Sequence, residues 1–345
     1  MSKKVSIVDI ANSLNISKTT VSFILNGRAQ EKRISEELVA RVLKLVKEVG
    51  YKPNSLAKSL RTGKSNIIGL MVEDISNPFF ANIARLIEDR AYEKGYRIIY
   101  CSTDNNSEKT RDLITMFRDR HVDGYIMAPP KEIEENVKEL INAGLPVVMF
   151  DRYLQGVDTD YVVVDNEFST YNATKHLMEQ GYSKIAFITF SSEQSQMLDR
   201  INGYKNALKD SKLKPILKEI EFNRNESLII EPLTAFLKKN QGIDAILFGT
   251  DHIGTCGLKV IKQLGLRVPN DVAVVSFDDY DVFKLYSPPV SAIAQPIEAL
   301  ADNVISLMLK KLDNNAGNNT TQKITLSTNL NIRESSLQHS KAAAE

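Results

Sequence analysis

The stretch Ser6–Gly27, which reads SIVDIANSLNISKTTVSFILNG, contains two candidate helices separated by a short turn. Its first residue and Asp9 have the spacing of a capping box, so a helix is expected to begin there. Asn15 tolerates the left-handed conformation that ends a helix, and Ser17 can cap a second helix that runs to Leu25. Two capped helices separated by about three residues are typical of a helix-turn-helix, whose second helix enters the major groove of DNA.

The start of the second helix carries side chains that suit DNA. Lys18 supplies a cation, and Thr19 and Thr20 supply hydroxyls that donate or accept hydrogen bonds. The predicted DNA contacts of this head are Ser17, Lys18, Thr19, Thr20, Phe23, Asn26 and Arg28.

A third helix is expected between Ser35 and Gly50, with acidic residues in its first turn. Its apolar residues recur at helical spacing, and we predict that they form the core of the head. These residues are Leu38, Val39, Val42, Leu43, Val46 and Val49.

Charge is distributed unevenly along the chain. Residues 1–64 hold 13 Lys and Arg against 5 Asp and Glu, whereas the remaining residues hold 31 against 38. The N-terminal part therefore carries +8 and the remainder −7, although the whole chain carries only +1. A basic end that coincides with a helix-turn-helix indicates a polyanionic partner, with an affinity that falls steeply as salt rises.

Three motifs in this basic end resemble the N-terminal signature of LacI/GalR bacterial transcription regulators. They are Val5–Ala11, Ile16–Gly27 and Gly50–Leu60, and the resemblance continues through nearly the whole chain. It implies that residues 54–60 become a hinge helix only on double-stranded operator DNA. It also implies that Leu60 from each of two subunits wedges into a central base step from the minor groove, which kinks the duplex.

Elementary helix physics agrees with such a hinge. Pro53 and Asn54 form a helix start, but about seven residues are too few to be helical alone in water, so a template must stabilise them. The predicted hinge contacts with DNA are Asn54, Ala57, Leu60 and Arg61. Phe23 departs from the family pattern, since many relatives carry a basic or polar residue there, so their operator sequences do not transfer to this chain.

Beyond the linker, apolar runs alternate with amphipathic stretches. The runs are residues 67–72, 97–100, 124–127, 147–150, 161–164, 185–188, 245–248 and 272–275. Strands that are apolar on both faces and alternate with helices predict an α/β fold with doubly wound parallel sheets. Roughly 280 residues are too many for one such core, so two similar lobes are expected.

The predicted domain boundaries follow from this division of the chain. We expect a helix-turn-helix domain over residues 1–53, a hinge helix and linker over 54–66, and an effector-binding core over 67–340. The core divides into a first lobe of about 67–165 and 294–323 and a second lobe of about 166–293 and 324–340.

Polar and aromatic residues follow the predicted strands, where ligands bind in sheets of this kind. Acceptors, a fork-shaped cation and aromatic rings suit a ligand with many hydroxyl groups. A resemblance to periplasmic sugar-binding proteins implies the same class of ligand, a carbohydrate. The predicted ligand-binding residues are Asn77, Phe79, Phe80, Asp151, Arg152, Arg200, Phe222, Thr250, Asp278 and Gln295. Thr250 stands where many sugar binders have Asn.

The sequence shows no motif for a metal site, a disulfide framework or an enzyme active site. Cys101 and Cys256 lack the spacing of a metal site or a disulfide framework, which fits a reducing cytoplasm. No glycine-rich phosphate loop, nucleophile elbow or metal-ligand pair is present, so we expect no enzyme activity, no catalytic residue, no metal and no cofactor. No apolar segment predicts export or a membrane span. The C-terminal tail lacks leucine heptads, which favours a homodimer over a tetramer.

Together these features predict a ligand-responsive transcriptional repressor in the cytoplasm. Three alternatives fit parts of the same sequence. They are a sugar-binding protein without regulatory DNA binding, a regulator controlled by a partner protein instead of a sugar, and an α/β enzyme. The basic head and hinge argue against a sugar-binding protein without regulatory DNA binding. The lack of any catalytic motif argues against an α/β enzyme.

Overall fold

A computed structural model describes residues 5–51, 63–313 and 320–338 of the chain. The chain divides into two compact units. The first ends at Ser65 and the second begins at Asn66. The predicted hinge helix lies outside the described residues. The same holds for its four predicted DNA contacts, Asn54, Ala57, Leu60 and Arg61.

The first unit contains three helices in its described part, α1 (Ile7–Ser13), α2 (Lys18–Leu25) and α3 (Glu36–Glu48). Ser6 and Asp9 form both hydrogen bonds of the predicted capping box, and the Ser17 hydroxyl accepts a hydrogen bond from the Thr20 amide at 3.0 Å. Asn15 has a φ of +52°, the left-handed turn expected between the first two helices. The predicted helix-turn-helix is confirmed.

The apolar face of α3 is only partly buried. Val42 is fully buried in the core of the head, together with Ile10 and Val21. However, Leu43 and Val49 are 48% and 38% exposed, so the prediction that they belong to the core is wrong. Adjacent residues of a helix point about 100° apart, and the two other short helices cover only the side of α3 that carries Val42.

The second unit contains two six-stranded sheets, as the predicted fold class requires. The first has the strand order β11-β5-β4-β3-β1-β2 and the second β12-β10-β9-β8-β6-β7. Every strand pairs in parallel except β12, which is antiparallel to β10. The strands are β1 (Ile67–Val72), β2 (Arg97–Ser102), β3 (Gly124–Met127), β4 (Val147–Phe150), β5 (Asp160–Val164), β6 (Ile185–Phe190), β7 (Ile216–Ile220), β8 (Ala245–Phe248), β9 (Ala273–Phe277), β10 (Ser291–Ala294), β11 (Lys323–Leu326) and β12 (Asn329–Asn331).

Helices cover both sheets. They are α4 (Pro78–Glu93), α5 (Ser107–Asp119), α6 (Glu134–Asn142), α7 (Asn166–Glu179), α8 (Ser195–Asp210), α9 (Ser227–Lys239), α10 (Asp251–Gln263), α11 (Asp281–Leu285) and α12 (Ile297–Leu312), with a 3-10 turn at Glu334–Ser336. We call the first sheet with its helices the first lobe and the second sheet with its helices the second lobe. The central strands β3, β4, β6, β8 and β9 are buried along their whole length.

The chain passes between the lobes after β5, after β10 and after β11. Because Ile324 and Leu326 pair with β5, the third passage follows Leu326 and lies a few residues beyond the position near 323 expected from the sequence. The edge strand β7 has no counterpart among the apolar runs, since its central residues Lys218 and Glu219 are polar. An edge strand needs to bury less of its surface than a central one, so its sequence can be mixed.

Candidate functional site

A cleft of about 890 Å³ opens between the two lobes at the carboxyl ends of their parallel strands. All ten side chains predicted to bind a ligand line this cleft. They are Asn77, Phe79, Phe80, Asp151, Arg152, Arg200, Phe222, Thr250, Asp278 and Gln295. Residues that are far apart in the sequence meet here because each follows or faces the end of a strand.

Two of these residues, Asp151 and Asp278, occupy equivalent positions in the two lobes. Asp151 directly follows β4 and Asp278 directly follows β9, and these strands hold the same place in their sheets. Both residues are in the left-handed region, with φ of +65° and +66°. Aspartate reaches this region at a modest energetic cost, and strained backbone of this kind concentrates at functional sites.

Arg152 is the most extensively bonded side chain of the first lobe's side of the cleft. It is 4% exposed, and each of its three nitrogens donates a hydrogen bond. Nε donates to Asp151 at 2.7 Å, Nη1 to Asn105 at 2.9 Å and Nη2 to Glu73 at 2.7 Å. Burial alone would lower the pKa of the guanidinium, but the two carboxylates outweigh it and raise that pKa.

Arg200 is the corresponding buried cation of the second lobe and is held differently. Nε donates to Asn166 at 2.9 Å and Nη1 donates to the carbonyl oxygen of Gly249 at 2.8 Å. Its guanidinium carbon lies 3.5 Å from the ring centroid of Phe277, which supplies a cation–π contact. Burial lowers the pKa of Arg200, and the nearby carboxylate of Asp278 opposes that shift.

Asp278 faces this cation from the end of β9. Gln295 donates a hydrogen bond from Nε2 to Asp278 Oδ1 at 2.6 Å, which explains why the two predicted residues lie together. The Gln295 Oε1 atom is buried, with no hydrogen-bond partner among the described residues. Burial raises the pKa of Asp278 to about 7, since Arg200 compensates only part of the cost of a buried charge.

The pKa of Asp278 predicts how stability depends on pH. Between the ordinary carboxyl pKa of about 4 and the raised pKa of about 7, the folded protein holds a proton that the unfolded chain releases. Protonated Asp278 therefore stabilises the folded protein at low pH. This contribution to the free energy of unfolding is lost as pH rises through the folded-state pKa of about 7. We expect the free energy of unfolding of wild type relative to Asp278→Asn to fall between about pH 5.5 and pH 8.

Urea denaturation of both proteins at the two pH values measures this difference. Burial lowers the pKa of His176 and His252, which makes the free energy of unfolding rise with pH. Both proteins contain these histidines, so their contribution cancels in the difference between wild type and variant. Asp151 and Asp251 are also present in both proteins, but each raises the pKa of Asp278, so the measured difference reports the titration of the interacting carboxyl groups together. A difference that stayed constant or rose with pH would contradict the assigned pKa.

Aromatic rings line both sides of the cleft. Phe79 and Phe80 of the first lobe form an edge contact with centroids 5.0 Å apart, and Phe80 is almost fully buried. On the second lobe, Phe222 packs edge to face on Phe190 at 5.3 Å and on His252 at 5.6 Å. Phe222 remains 47% exposed, so it can offer a ring face to a ligand.

Asn77 and Thr250 cap two of the helices that begin at the cleft, α4 and α10. Asn77 Oδ1 accepts a hydrogen bond from the Phe79 amide at 2.8 Å, and Thr250 Oγ1 accepts one from the Ile253 amide at 3.4 Å. Thr250 thus has a structural task that is independent of any ligand. The Asn77 side-chain NH2 group is not needed for its cap.

Contacts between the lobes join the two sides of the cleft mouth. Gln194 of the second lobe donates to Asn105 of the first at 3.0 Å. Ion pairs join Lys131 to Glu193 and Arg224 to Asp104 in the same way. Sequence reasoning missed these residues because they lie in loops of ordinary polar composition, although each loop follows a strand.

His252 and Glu73 were also missed, and a signal for them existed. Glu73 directly follows β1 and His252 is the second residue of α10, so both follow a strand end as the predicted residues do. By contrast, Asp165 and Asp279 follow strands but lie outside the cleft. Asp165 accepts hydrogen bonds from Ser169 and Thr328, and Asp279 pairs with Arg333 at 2.6 Å.

The head of the first unit presents a second candidate site. Lys18 and Thr19 are exposed at the start of α2, whereas the hydroxyls of Ser17 and Thr20 bond to each other at 2.9 Å as part of the helix cap. Asn26 ends the helix and donates to the Ser22 carbonyl oxygen at 2.6 Å.

Two cations flank the half-buried ring of Phe23. The guanidinium carbon of Arg28 lies 5.9 Å from the ring centroid and Nζ of Lys32 lies 5.4 Å from it. Glu31 forms a bidentate ion pair with Arg28. This pair lowers the pKa of the Glu31 carboxyl to about 2. An aromatic ring bordered by cations can combine an apolar base contact with phosphate binding.

Among the described residues, no cluster of His, Cys, Asp and Glu could hold a metal ion. No helix within that part of the chain is long and apolar enough to span a lipid bilayer.

Family models match both units of the chain. The model for bacterial regulatory proteins of the lacI family matches residues 6–54, and a periplasmic binding protein-like domain matches residues 174–336. The ribose operon repressor of Halalkalibacterium halodurans is 31% identical over 333 residues, which cover 95% of this chain and 96% of the relative.

Solved structures show the same architecture. A periplasmic binding protein/LacI transcriptional regulator from Alkaliphilus metalliredigens, complexed with D-xylulofuranose, is 28% identical with a TM-score of 0.71 and covers 79% of this chain and 100% of that one. The lac repressor dimer bound to operator has a TM-score of 0.85 and covers 97% of this chain and 100% of that one. At 21% identity, this second likeness concerns the fold alone.

Proposed function

The chain belongs to the lacI family of bacterial regulatory proteins, and from this premise we propose that it is a cytoplasmic repressor whose affinity for operator DNA changes when a sugar binds in the cleft. The observation that carries the sugar proposal is the convergence of all ten predicted residues on one cleft. The relatives support it, since one is a ribose operon repressor and another was solved with D-xylulofuranose.

The cleft residues have the chemistry to recognise hydroxyl groups. Asp151 and Asp278 place acceptor oxygens on opposite lobes, and the unpaired Oε1 of Gln295 adds a further acceptor. Arg200 uses Nε and Nη1 within the protein, so Nη2 is the nitrogen that would donate to a ligand. The exposed ring of Phe222 would cover the apolar face of a sugar.

The mechanism follows from the position of the ligand between the lobes. A sugar that contacts both lobes binds more tightly to one relative arrangement than to the other and so shifts the population between them. In a homodimer, this shift would change the spacing of the two hinge segments. The predicted wedge at Leu60 and the helix-turn-helix heads would then fit the operator in only one arrangement.

The proposal for the head is that Lys18, Thr19 and Phe23 read each half-site. Ser17, Thr20, Asn26 and Arg28 would position α2 or contact phosphate. Replacing Phe23 with alanine should alter the preferred base at one position of each half-site, at a cost of about 1–3 kcal/mol for the lost contact.

Selection of binding sites from random DNA, with wild type and Phe23→Ala, measures this preference. Arg41→Ala, which removes a charge from α3, serves as a control and should keep the wild-type consensus. If Phe23→Ala selects the same consensus as wild type, Phe23 does not contribute to base recognition.

The regulatory proposal is tested with the full chain on its selected operator. D-ribose and D-xylulose are added to the complex, and fluorescence anisotropy reports operator affinity. Asp278→Asn should keep operator affinity without sugar and lose the response, because the DNA head is a separate unit. Asp112→Asn, an exposed carboxylate on α5, should respond like wild type.

Two outcomes would contradict the sugar proposal. If the operator affinity of Asp278→Asn responds to sugar as wild type does, the effector does not bind in the cleft. A wild-type protein that binds its operator but responds to no sugar would favour control by a partner protein.

A further inference from the structure

The cleft is lined by many more carboxylates than cations. The acidic residues are Glu73, Asp74, Asp104, Asp151, Glu193, Glu221, Glu226, Asp251 and Asp278, and the basic ones are Lys131, Arg152, Arg200 and Arg224. Nine carboxyl groups against four cations raise the question of which ligand charge the cleft accepts, although Asp278 is partly protonated near pH 7. The answer depends on whether any cation is left for an anionic ligand.

The two cations at the cleft mouth are committed to carboxylates. Lys131 pairs with Glu193. Arg224 pairs with Asp104 and lies 3.7 Å from a carboxylate oxygen of Asp74. A phosphate that entered the cleft would therefore meet two neutralised cations bordered by further carboxylates.

The two buried arginines are also committed. Arg152 donates from all three nitrogens to protein groups, two of which are carboxylates. Arg200 donates from two nitrogens, and its flat face is covered by Phe277. One free nitrogen suits a single hydroxyl, whereas a phosphate is bound well when several donors converge on it.

Helix starts are the other common anion sites, and the protein's own acceptors occupy two of those at the cleft, the starts of α4 and α10. Asn77 caps α4 through the Phe79 amide. At the start of α10, the carboxylate of Asp251 accepts a hydrogen bond from the His252 amide at 2.8 Å. A carboxylate already fills the place where a phosphate would sit on α10.

From this arrangement we propose that the effector is an uncharged sugar and that the cleft rejects phosphorylated sugars and sugar acids. The inference rests on the proposed sugar-responsive function and specifies the ligand class of the same site. Selectivity arises because three of the four cations of the cleft are engaged by carboxylates, and Arg200 keeps only one free nitrogen. A phosphate would have to lose its water next to carboxylates and would gain only that one donor from Arg200.

The test compares matched pairs of ligands on the full chain by calorimetry. The pairs are D-ribose with D-ribose 5-phosphate, D-xylulose with D-xylulose 5-phosphate, and D-glucose with D-glucose 6-phosphate. For any pair of which one member binds, we expect the neutral member to bind about 100-fold more tightly, because like charges oppose the phosphate.

Two substitutions test the assigned cause. Glu73→Gln removes one of the two carboxylate charges that neutralise Arg152, and Asp104→Asn removes the charge paired with Arg224, so each should reduce the preference for the neutral sugar by about 10-fold. Asn tolerates the left-handed φ of +56° at position 104, so the second variant keeps its backbone conformation. Glu135→Gln, an exposed carboxylate on α6, is the control and should leave the preference unchanged.

The outcomes separate this inference from the function on which it rests. Equal or tighter binding of a phosphorylated member would overturn the charge selectivity and leave a sugar-responsive regulator. An unchanged preference in both Glu73→Gln and Asp104→Asn would overturn the assigned cause. Failure of every sugar to bind, in a protein that still binds its operator, would remove the sugar effector itself and the selectivity with it.

Discussion

Replacing Arg152 with alanine is expected to lower the free energy of unfolding by about 3–5 kcal/mol. The substitution leaves Asp151 and Glu73 without the guanidinium that now binds both, and Asp151 is almost fully buried. Removing one partner of a buried ion pair costs much more than the pair itself contributes, because the remaining charge stays desolvated. Urea denaturation of the full chain measures the change.

Lys131→Ala is the matched control for this prediction. It removes a cation from the same cleft, but Lys131 and Glu193 are 45% and 81% exposed, so water replaces the lost partner. We expect a loss of at most about 1 kcal/mol. A similar small loss for Arg152→Ala would mean that its carboxylates find other partners and that the Arg152 network is not a major source of stability.

The helix-turn-helix and the α/β core were predictable because local rules determine them. The capping box of Ser6 and Asp9 needs only residues three positions apart, and the apolar runs mark the central strands wherever they occur. The candidate cleft was predictable for a similar reason. A polar residue directly after an apolar run lies at the carboxyl end of a strand, where sheets of this kind bind ligands.

Features that depend on contacts between distant segments were not predictable. The exposure of Leu43 depends on how much of α3 the other two helices cover, which no helical periodicity reports. The bond from Arg152 to Glu73 joins loops that follow β4 and β1, and the sequence contains no mark of that pairing. Similarly, the polar composition of β7 hides an edge strand that only its partner β6 reveals.

The equivalence of Asp151 and Asp278 connects the fold to the proposed mechanism. Two lobes with the same strand order place a strained aspartate at the same sheet position on each side of the cleft. Each aspartate lies near a buried arginine, yet Arg152 donates to two carboxylates and one amide oxygen, whereas Arg200 donates only to neutral groups. The lobes therefore offer a ligand different donors from similar frameworks, which allows binding to favour one arrangement of the lobes.

Replacing Gly203 with alanine should destabilise the second lobe by about 3 kcal/mol, although alanine is the better helix former by about 1 kcal/mol. Gly203 lies on α8 where that helix packs against α7. An added Cβ would lie 2.0 Å from the carbonyl oxygen of Glu167 and 2.9 Å from the amide nitrogen of Tyr171. Both are backbone atoms, so the clash is relieved only by moving one helix away from the other.

That movement would also affect the cleft, because α8 carries Arg200 and α7 begins with its partner Asn166. We therefore expect Gly203→Ala to weaken binding of a neutral sugar even at temperatures where the variant is folded. Lys205→Ala, exposed on the same helix, is the control for both stability and binding. Wild-type stability in Gly203→Ala would show that α7 and α8 do not approach so closely. Lost stability with intact binding would show that Arg200 keeps its position without that contact.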